Sequence, residues 1–150
     1  MPETVRRHTE VRMEEYLMKW KETEPKQGDI VRVKLQFYYH YGLYDDAQHV
    51  IAFGLPDNSG IPRDEIAVVA TDVQTFLHGG NIETAQLSLG ERLKRHSVSE
   101  TLRMAYDRVG ETGYHLLKNN CEHFVNECVF GVHKSDMADP LAERLLSNGK

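Results

Sequence analysis

The sequence predicts an α+β domain in which helices pack on an antiparallel β-sheet. Segments with strand patterns fill the first half of the 150-residue chain, and the clearest helix signals fall in the second half. A run of strands followed by helices is typical of this class, whereas regular alternation of strands and helices would indicate a parallel sheet. The length corresponds to one domain with a single sizeable core.

The composition excludes several functional classes. Apolar residues make up 40% of the chain and charged residues 27%, which is ordinary for a soluble globular protein. The net charge is −5, with acidic and basic residues intermixed, so no nucleic-acid partner is expected. No apolar run has the length of a signal-peptide core or a membrane span, and two cysteines are too few for a disulfide scaffold. We therefore expect a cytoplasmic protein without a membrane span.

Residues 1–24 are expected to form an N-terminal helical extension, because residues 3–22 are polar and helix-prone. The apolar positions of this segment are Val11, Tyr16, Leu17 and Trp20. A proline and a glycine then interrupt the chain before the main domain, which we place at 28–131. Residues 132–150 are assigned to a short helix, at 141–146, and a tail.

Period-two alternation predicts the strands. Residues 29–39 alternate cleanly and are expected to form a strand with one buried face. That face carries Val31, Val33, Leu35, Phe37 and Tyr39. The further strand segments predicted are 41–44, 49–53 and 66–70. A turn at 45–47 and a loop at 54–62 separate them, whereas 72–77 and 81–96 carry no decisive pattern.

Two helices are predicted in the second half. Ser97 and Glu100 have the spacing of a capping box, which opens a helix to about Val109. The second helix begins at Cys121, and Gly131 ends it. The apolar positions that follow at helical spacing are Phe124, Val125, Cys128 and Val129.

Cys121 lies at the predicted start of the second helix. Asn119 or Asn120 is expected to cap that helix, because an asparagine side chain accepts hydrogen bonds from the free amides of the first turn. The helix dipole favours thiolate over thiol at this end, so we expect a lowered pKa for Cys121. A free cysteine is more often a small buried core residue, and Cys128 is interpreted in that way.

His40 is the histidine best placed to act as a base. It lies where two predicted strand segments meet, with aromatic residues around it in the sequence. These are Phe37, Tyr38, Tyr39, Tyr41 and Tyr44. Partial desolvation disfavours the charged imidazolium and leaves a neutral imidazole suited to general-base catalysis. The alternative is a histidine that is simply satisfied within the core.

Together, Cys121 and His40 predict a thiol–imidazole pair. The imidazole would take the thiol proton, the thiolate would attack a carbonyl carbon, and the imidazole would return the proton to the leaving group. Amides at the start of the helix would stabilise the oxyanion. His123 lies on a different side of the helix from Cys121 and is interpreted as structural. The cysteines and histidines lack zinc-ligand spacing, so no metal or other cofactor is expected.

Three segments resemble the lecithin:retinol acyltransferase (LRAT) family. They are Gly28-Asp29-Ile30-Val31, His40-Tyr41-Gly42-Leu43-Tyr44 and Asn120-Cys121-Glu122-His123-Phe124-Val125-Asn126-Glu127. The resemblance covers roughly residues 28–131. It implies the fold of the NlpC-type papain-like superfamily in a circularly permuted form, in which the histidine precedes the cysteine, as it does here.

This resemblance implies an enzyme that forms an acyl-thioester on its cysteine and passes the acyl group to water, an amine or an alcohol. It implies Cys121 as the nucleophile and His40 as the base. Tyr38 matches a tyrosine that some members keep near the site, and Asn120 supports the site as the helix cap. The expected substrate is an acyl ester, thioester or amide.

One position departs from the family pattern. Members of the family usually carry a third polar residue, often a second histidine, at the position that holds Ala52 here. His49 has the opposite strand parity, so Gln36 or His115 are the candidates to orient the base in its place. A dyad can act without the third residue, but its loss can cost orders of magnitude in rate.

Two other functions remain open at this point. PPPDE-type isopeptidases also place a histidine before an Asn-Cys-x-His-Phe block and use a dyad on ubiquitin-like conjugates. The Gly-Asp-Ile-Val segment and Glu122 favour the LRAT interpretation over that one. The second alternative is a binding module that keeps the fold without activity, and Ala52 is its main support.

Overall fold

The computed structural model describes residues 18–56, 61–116 and 119–133. The strands in these ranges are β1 (Lys19–Lys21), β2 (Ile30–Lys34), β3 (Tyr39–Asp46), β4 (His49–Phe53), β5 (Val68–Thr71) and β6 (Ile82–Gln86). The helices are α1 (Val73–Leu77), α2 (Leu89–Lys94), α3 (Val98–Asp107) and α4 (Cys121–Phe130), and a 3-10 turn covers Arg63–Glu65.

The strands form one antiparallel sheet in the order β1-β6-β2-β3-β4-β5. Short turns join β2 to β3 and β3 to β4, as antiparallel neighbours allow. β6 returns to the other side of β2, and β1 pairs with β6 at that edge of the sheet. The predicted α+β class with an antiparallel sheet is confirmed.

The hairpin between β2 and β3 is tighter than the sequence pattern predicts. Residues 35–38 form the turn, which a backbone hydrogen bond of 2.8 Å between its first and last residue closes. The strand predicted over 29–39 is therefore wrong in its last part, and Phe37 is 87% exposed. The alternation continues through the turn because its apolar residues keep the parity of the strand. His40 is consequently the second residue of one long strand, β3, and does not lie between two strand segments.

Both faces of the sheet are buried. The α4 cluster lies between the sheet and α4, and its strand residues include Ile30, Tyr41, Leu43, Ile51 and Phe53. The α1 cluster lies on the other face and contains Val31, Val33, Tyr44, Val50, Ala52 and Phe76. Phe76 belongs to α1, so the second face of the sheet also carries a helix, and the expectation that the predicted strand has one buried face is wrong.

β1 replaces the end of the predicted N-terminal helix. Trp20 lies against Tyr41 with ring centroids 5.8 Å apart, and the Arg32 guanidinium lies 4.1 Å above the Trp20 ring. Such a cation–π contact is worth about 0.5–2 kcal/mol. Side-chain packing therefore stabilises β1 in addition to its backbone hydrogen bonds with β6. The helical extension predicted for 1–24 is therefore wrong at β1, and residues 1–17 lie outside the described ranges.

β6 and α2 occupy the segment 81–96, which carries no decisive sequence pattern. α2 does carry a sequence signal, because Ser88 and Glu91 form a capping box. The Ser88 Oγ accepts from the Glu91 N–H at 3.1 Å, and the Glu91 carboxylate accepts from the Ser88 N–H at 2.8 Å. β6 pairs with β1 on one edge and β2 on the other. Its strand conformation therefore depends more on these backbone hydrogen bonds than on its side-chain pattern, which does not alternate cleanly.

The two predicted helices are confirmed. Ser97 caps α3, with its Oγ accepting from the Glu100 N–H at 3.1 Å. Gly131 ends α4 with a φ of +71°, a left-handed conformation that glycine adopts without strain. The helix predicted at 141–146 lies outside the described ranges. Within those ranges, no helix is long and apolar enough to cross a membrane.

We expect Gly42→Ala to destabilise the fold, because the added Cβ would lie 2.6 Å from Val50 Cγ1 and 2.9 Å from Phe76 Cε2. Overpacking of this kind costs about 1–3 kcal/mol. Gly90→Ala is the control: its Cβ would approach only Ser88 Oγ, at 3.9 Å, and should stabilise α2 by about 0.5–1 kcal/mol. Chemical denaturation compares the two variants, and equal midpoints would contradict the packing described for the α1 cluster.

Candidate active site

The start of α4 is buried, and side chains satisfy its free amides. Asn120 is the cap, because its Oδ1 accepts from the N–H groups of Glu122 and His123, each at 3.0 Å. The Asn120 N–H donates to Nδ1 of His123 at 3.0 Å, which completes a capping box with histidine in place of the usual glutamate or glutamine. The Asn120 side chain also donates to the Leu116 carbonyl at 2.8 Å. His123 thus has a clear structural contact at the helix start.

Cys121 is the first residue of α4 and is only 1% exposed. Burial raises the pKa of the Cys121 thiol to about 12, because an anion at this depth loses its solvation. The backbone N–H groups of Tyr41, Cys121 and Glu122 oppose this shift, whereas the Glu122 carboxylate adds to it. The lowered pKa expected from the helix dipole is therefore wrong for the closed site, in which desolvation outweighs the dipole.

The Tyr41 amide lies close enough to lower the pKa of the Cys121 thiol because β3 and β4 separate beside it. Their pairing ends at Leu43 and Ile51. Beyond this point β3 stays paired with β2 as far as Tyr39. Likewise, β4 stays paired with β5 as far as Phe53. Successive amides of a strand point alternately to its two sides, so the Tyr41 N–H points away from β2 and into the gap. The open end of this ladder is the place where the sheet meets the start of α4.

His40 is buried near the start of β3, with 2% of its surface exposed. Its Nε2 lies 3.2 Å from the carbonyl oxygen of Gly54, and its ring centroid lies 5.2 Å from that of Phe76. Burial lowers the pKa of His40 to about 4, and the hydrogen bond with Gly54 opposes part of that shift. The imidazole is neutral, as the sequence predicts, but its aromatic neighbour is Phe76 from α1 and not the exposed Phe37.

The two candidate catalytic side chains have different neighbours in the structure. Among the described residues, no hydrogen bond joins the Cys121 thiol to the His40 imidazole. His40 packs on Phe76 of the α1 cluster, whereas Cys121 belongs to the α4 cluster. With a raised thiol pKa and a lowered imidazole pKa, the closed site holds two neutral groups and no ion pair.

The position of the missing third polar residue is filled by apolar packing. Ala52 is completely buried within the α1 cluster. Gln36 is exposed in the β2–β3 turn, and His49 lies at the far end of β4. His115 pairs through its backbone in an isolated bridge just before α4. The hydrogen bond described for the His40 ring is with the Gly54 carbonyl and not with any of these side chains.

Two tyrosines lie at the edge of the site. The Tyr38 hydroxyl donates to the Pro56 carbonyl at 3.2 Å and so ties the β2–β3 turn to the loop after β4. Burial raises the pKa of Tyr114, and the nearby Cys121 and Tyr38 raise it further. A cleft of about 490 Å³ opens beside Tyr38. Its walls are the β2–β3 turn, Pro56 and residues 78–80 at the end of α1.

The raised thiol pKa predicts slow alkylation of Cys121 in the folded chain. Thiolate is the reacting form, so the rate with iodoacetamide should keep rising to at least about pH 10 without a plateau. The Cys128→Ala variant leaves Cys121 as the only thiol, and mass spectrometry counts the adducts. The same variant unfolded in urea should titrate near the free-cysteine value of about 8.5. A plateau below that value in the folded chain would contradict the effect of burial.

Comparison with known proteins gives a family match. The sequence matches the family described as lecithin retinol acyltransferase over residues 23–134. Human lecithin retinol acyltransferase is 30% identical over 137 residues, which cover 78% of this chain and 60% of the relative. The rat protein of that name is 31% identical over 140 residues, covering 78% and 59%. Human phospholipase A and acyltransferase 3 is 28% identical over 122 residues, or 75% of each chain.

The chain therefore spans about 60% of the length of its lecithin retinol acyltransferase relatives. The matched region includes both Cys121 and His40, together with every strand from β2 to β6. These relatives are named as acyltransferases, and one of them also as a phospholipase A. The match favours the LRAT interpretation over the PPPDE one. The chain belongs to the lecithin retinol acyltransferase family, a family of acyl-transferring enzymes.

Proposed function

We propose that this chain is a cysteine-dependent acyltransferase or hydrolase that forms an acyl-thioester on Cys121, with His40 as the general base. The observation that carries the proposal is the position of Cys121. It is the first residue of a capped, buried helix, with backbone N–H groups directed at its sulfur, in a chain of the LRAT family. The substrate is an acyl ester, thioester or amide.

The reaction has two halves. In the first, His40 takes the thiol proton and the Cys121 sulfur attacks the acyl carbonyl carbon. The bond from that carbon to the leaving group breaks, and the imidazolium gives its proton to the leaving group. In the second half, water, an amine or an alcohol attacks the thioester carbon while His40 takes its proton. The bond from that carbon to the Cys121 sulfur breaks, and the imidazolium gives the proton to the sulfur, which restores the thiol.

The N–H groups of Tyr41 and Cys121 are the oxyanion donors in this proposal. They point to the region of the sulfur, where the carbonyl oxygen of an attacked acyl group gains negative charge. The Glu122 N–H already donates to the Asn120 side chain, so it contributes less. Because backbone donors need no reorganisation, they stabilise the developing charge as soon as the acyl group is in place.

Substrate binding opens the site in this proposal, because both reacting side chains are almost fully buried. A polar substrate and its water reduce the desolvation that raises the pKa of Cys121 and lowers the pKa of His40. Both changes favour proton transfer from the thiol to the imidazole. The Tyr38–Pro56 hydrogen bond joins the two segments beside the cleft, so we expect the site to open where this bond breaks.

A binding module without catalysis is the second candidate. The raised thiol pKa, the lack of a described thiol–imidazole hydrogen bond and Ala52 at the third position favour it. This candidate predicts that acyl compounds bind without turnover, and that Cys121→Ser leaves their affinity unchanged.

Turnover of p-nitrophenyl acyl esters tests the proposal. We expect Cys121→Ser to lower kcat/KM by about 1,000-fold or more, because a buried hydroxyl is a much weaker nucleophile. His40→Gln should lower it by about 100- to 10,000-fold, the usual contribution of a positioned base.

The chain offers a matched control for each variant. Cys128→Ala removes the other thiol, and His49→Gln replaces a half-exposed histidine at the outer end of β4. Both should keep kcat/KM within about twofold of the wild type, since Cys128 lies about two helical turns after Cys121 and His49 lies at the end of β4 opposite to Gly54. Wild-type turnover that survives Cys121→Ser unchanged would reject catalysis at Cys121, whereas binding of the esters without any wild-type turnover would support the binding module.

A further inference from the structure

We propose that the main-chain carbonyl of Gly54 takes the place of the missing third polar residue and holds His40 in the tautomer that carries its proton on Nε2. The bare Nδ1 is then the nitrogen that takes the proton of Cys121. The tautomer itself follows from contacts of the free chain, whereas its catalytic meaning rests on the proposed function.

The tautomer follows from the chemistry of the partner. A carbonyl oxygen can only accept a hydrogen bond, and it lies 3.2 Å from Nε2 of His40. The bond therefore requires a proton on Nε2. A neutral imidazole carries one ring proton, so Nδ1 keeps its lone pair. Since the His40 ring is buried and packs on Phe76, water has little access to the hydrogen bond with Gly54.

The Gly54 carbonyl is held in place from both sides. The Gly54 N–H donates to the Ala67 carbonyl at 2.9 Å, which extends the pairing of β4 with β5 by one bond. Two residues later, the Pro56 carbonyl accepts from the Tyr38 hydroxyl at 3.2 Å. Gly54 itself has a φ of +91°, a conformation that other residues rarely adopt, so the carbonyl direction depends on glycine here.

The packing around Ala52 explains why a backbone atom has this role. Ala52 is fully buried beside Val50 and Phe76, and the same face carries His40 one strand away. A larger polar side chain at 52 would have to displace this apolar cluster. Instead, the chain turns after β4, and the carbonyl of Gly54, the first residue beyond the strand, makes the hydrogen bond with the His40 ring.

A carbonyl orients the base differently from a charged partner. It fixes the tautomer and the ring direction, but it carries no full charge, so it raises the imidazole basicity less than a carboxylate does. When the imidazolium forms during catalysis, its Nε2–H keeps the same acceptor. Gly54 is thus a positioning residue that acts through His40.

The test is the ¹⁵N spectrum of the histidine rings in the free chain at neutral pH, with His40→Gln used to assign the His40 signals. We expect Nε2 of His40 to have the chemical shift of a protonated nitrogen and Nδ1 that of an unprotonated one. A proton on Nδ1, or averaged shifts from two exchanging tautomers, would overturn the proposal. The spectrum needs no substrate, so its outcome is independent of whether the chain is an enzyme.

A pair of glycine variants tests the role of Gly54. Gly54→Ala strains a φ of +91° and should move the carbonyl, mix the His40 tautomers and lower kcat about tenfold or more with little change in KM. Gly110→Ala is the matched control, because it strains a φ of +94° where the added Cβ meets nothing within 4 Å. It should leave the His40 spectrum and kcat unchanged.

The two assays separate the possible failures. Equal His40 spectra in Gly54→Ala and Gly110→Ala would reject the role of the carbonyl even if the enzyme turns over. A mixed tautomer in Gly54→Ala alone, in a chain whose wild type hydrolyses no acyl ester, would support the tautomer and reject the proposed function. The melting temperatures of Gly54→Ala and Gly110→Ala show whether the backbone strain at the two positions lowers stability to the same extent.

Discussion

The buried start of α4 is the constraint on which the rest of the site depends. Helix ends leave free N–H groups, and a buried end cannot give them to water. Asn120 accepts from two of them, and His123 accepts from the Asn120 backbone, so both side chains are required by the helix before any chemistry is considered. Cys121 follows the cap directly and is therefore carried into the gap between β3 and β4.

The same burial determines the electrostatics. It raises the pKa of the Cys121 thiol and lowers the pKa of His40, so both groups are neutral in the closed site. A site of this kind protects its thiol from adventitious alkylation and oxidation, since thiolate is the reactive form. In the proposed mechanism, substrate entry removes part of the desolvation and so activates both groups in one event.

Much of this arrangement could be predicted from the sequence, because it depends on patterns among residues that are close together in the chain. Helix spacing and an asparagine before Cys121 predict the capped helix, and alternation predicts the strands that present His40. Other parts depend on long-range packing: the end of β2, the burial of α1 on the second face, and the net effect of desolvation on Cys121. The contact between Gly54 and His40 could not be predicted, because a backbone carbonyl has no residue signature. The acceptor side chain expected for His40 is replaced by a main-chain atom.

The most direct test of the account is to trap the acyl-enzyme. The Cys128→Ala chain is mixed with an activated acyl ester, quenched in acid within the first turnover, digested and analysed by mass spectrometry. The account predicts one acyl group, on the peptide that carries Cys121, and its loss when hydroxylamine cleaves the thioester. An acyl group on a lysine or histidine instead, or turnover without any acylated peptide, would contradict an acyl-thioester on Cys121.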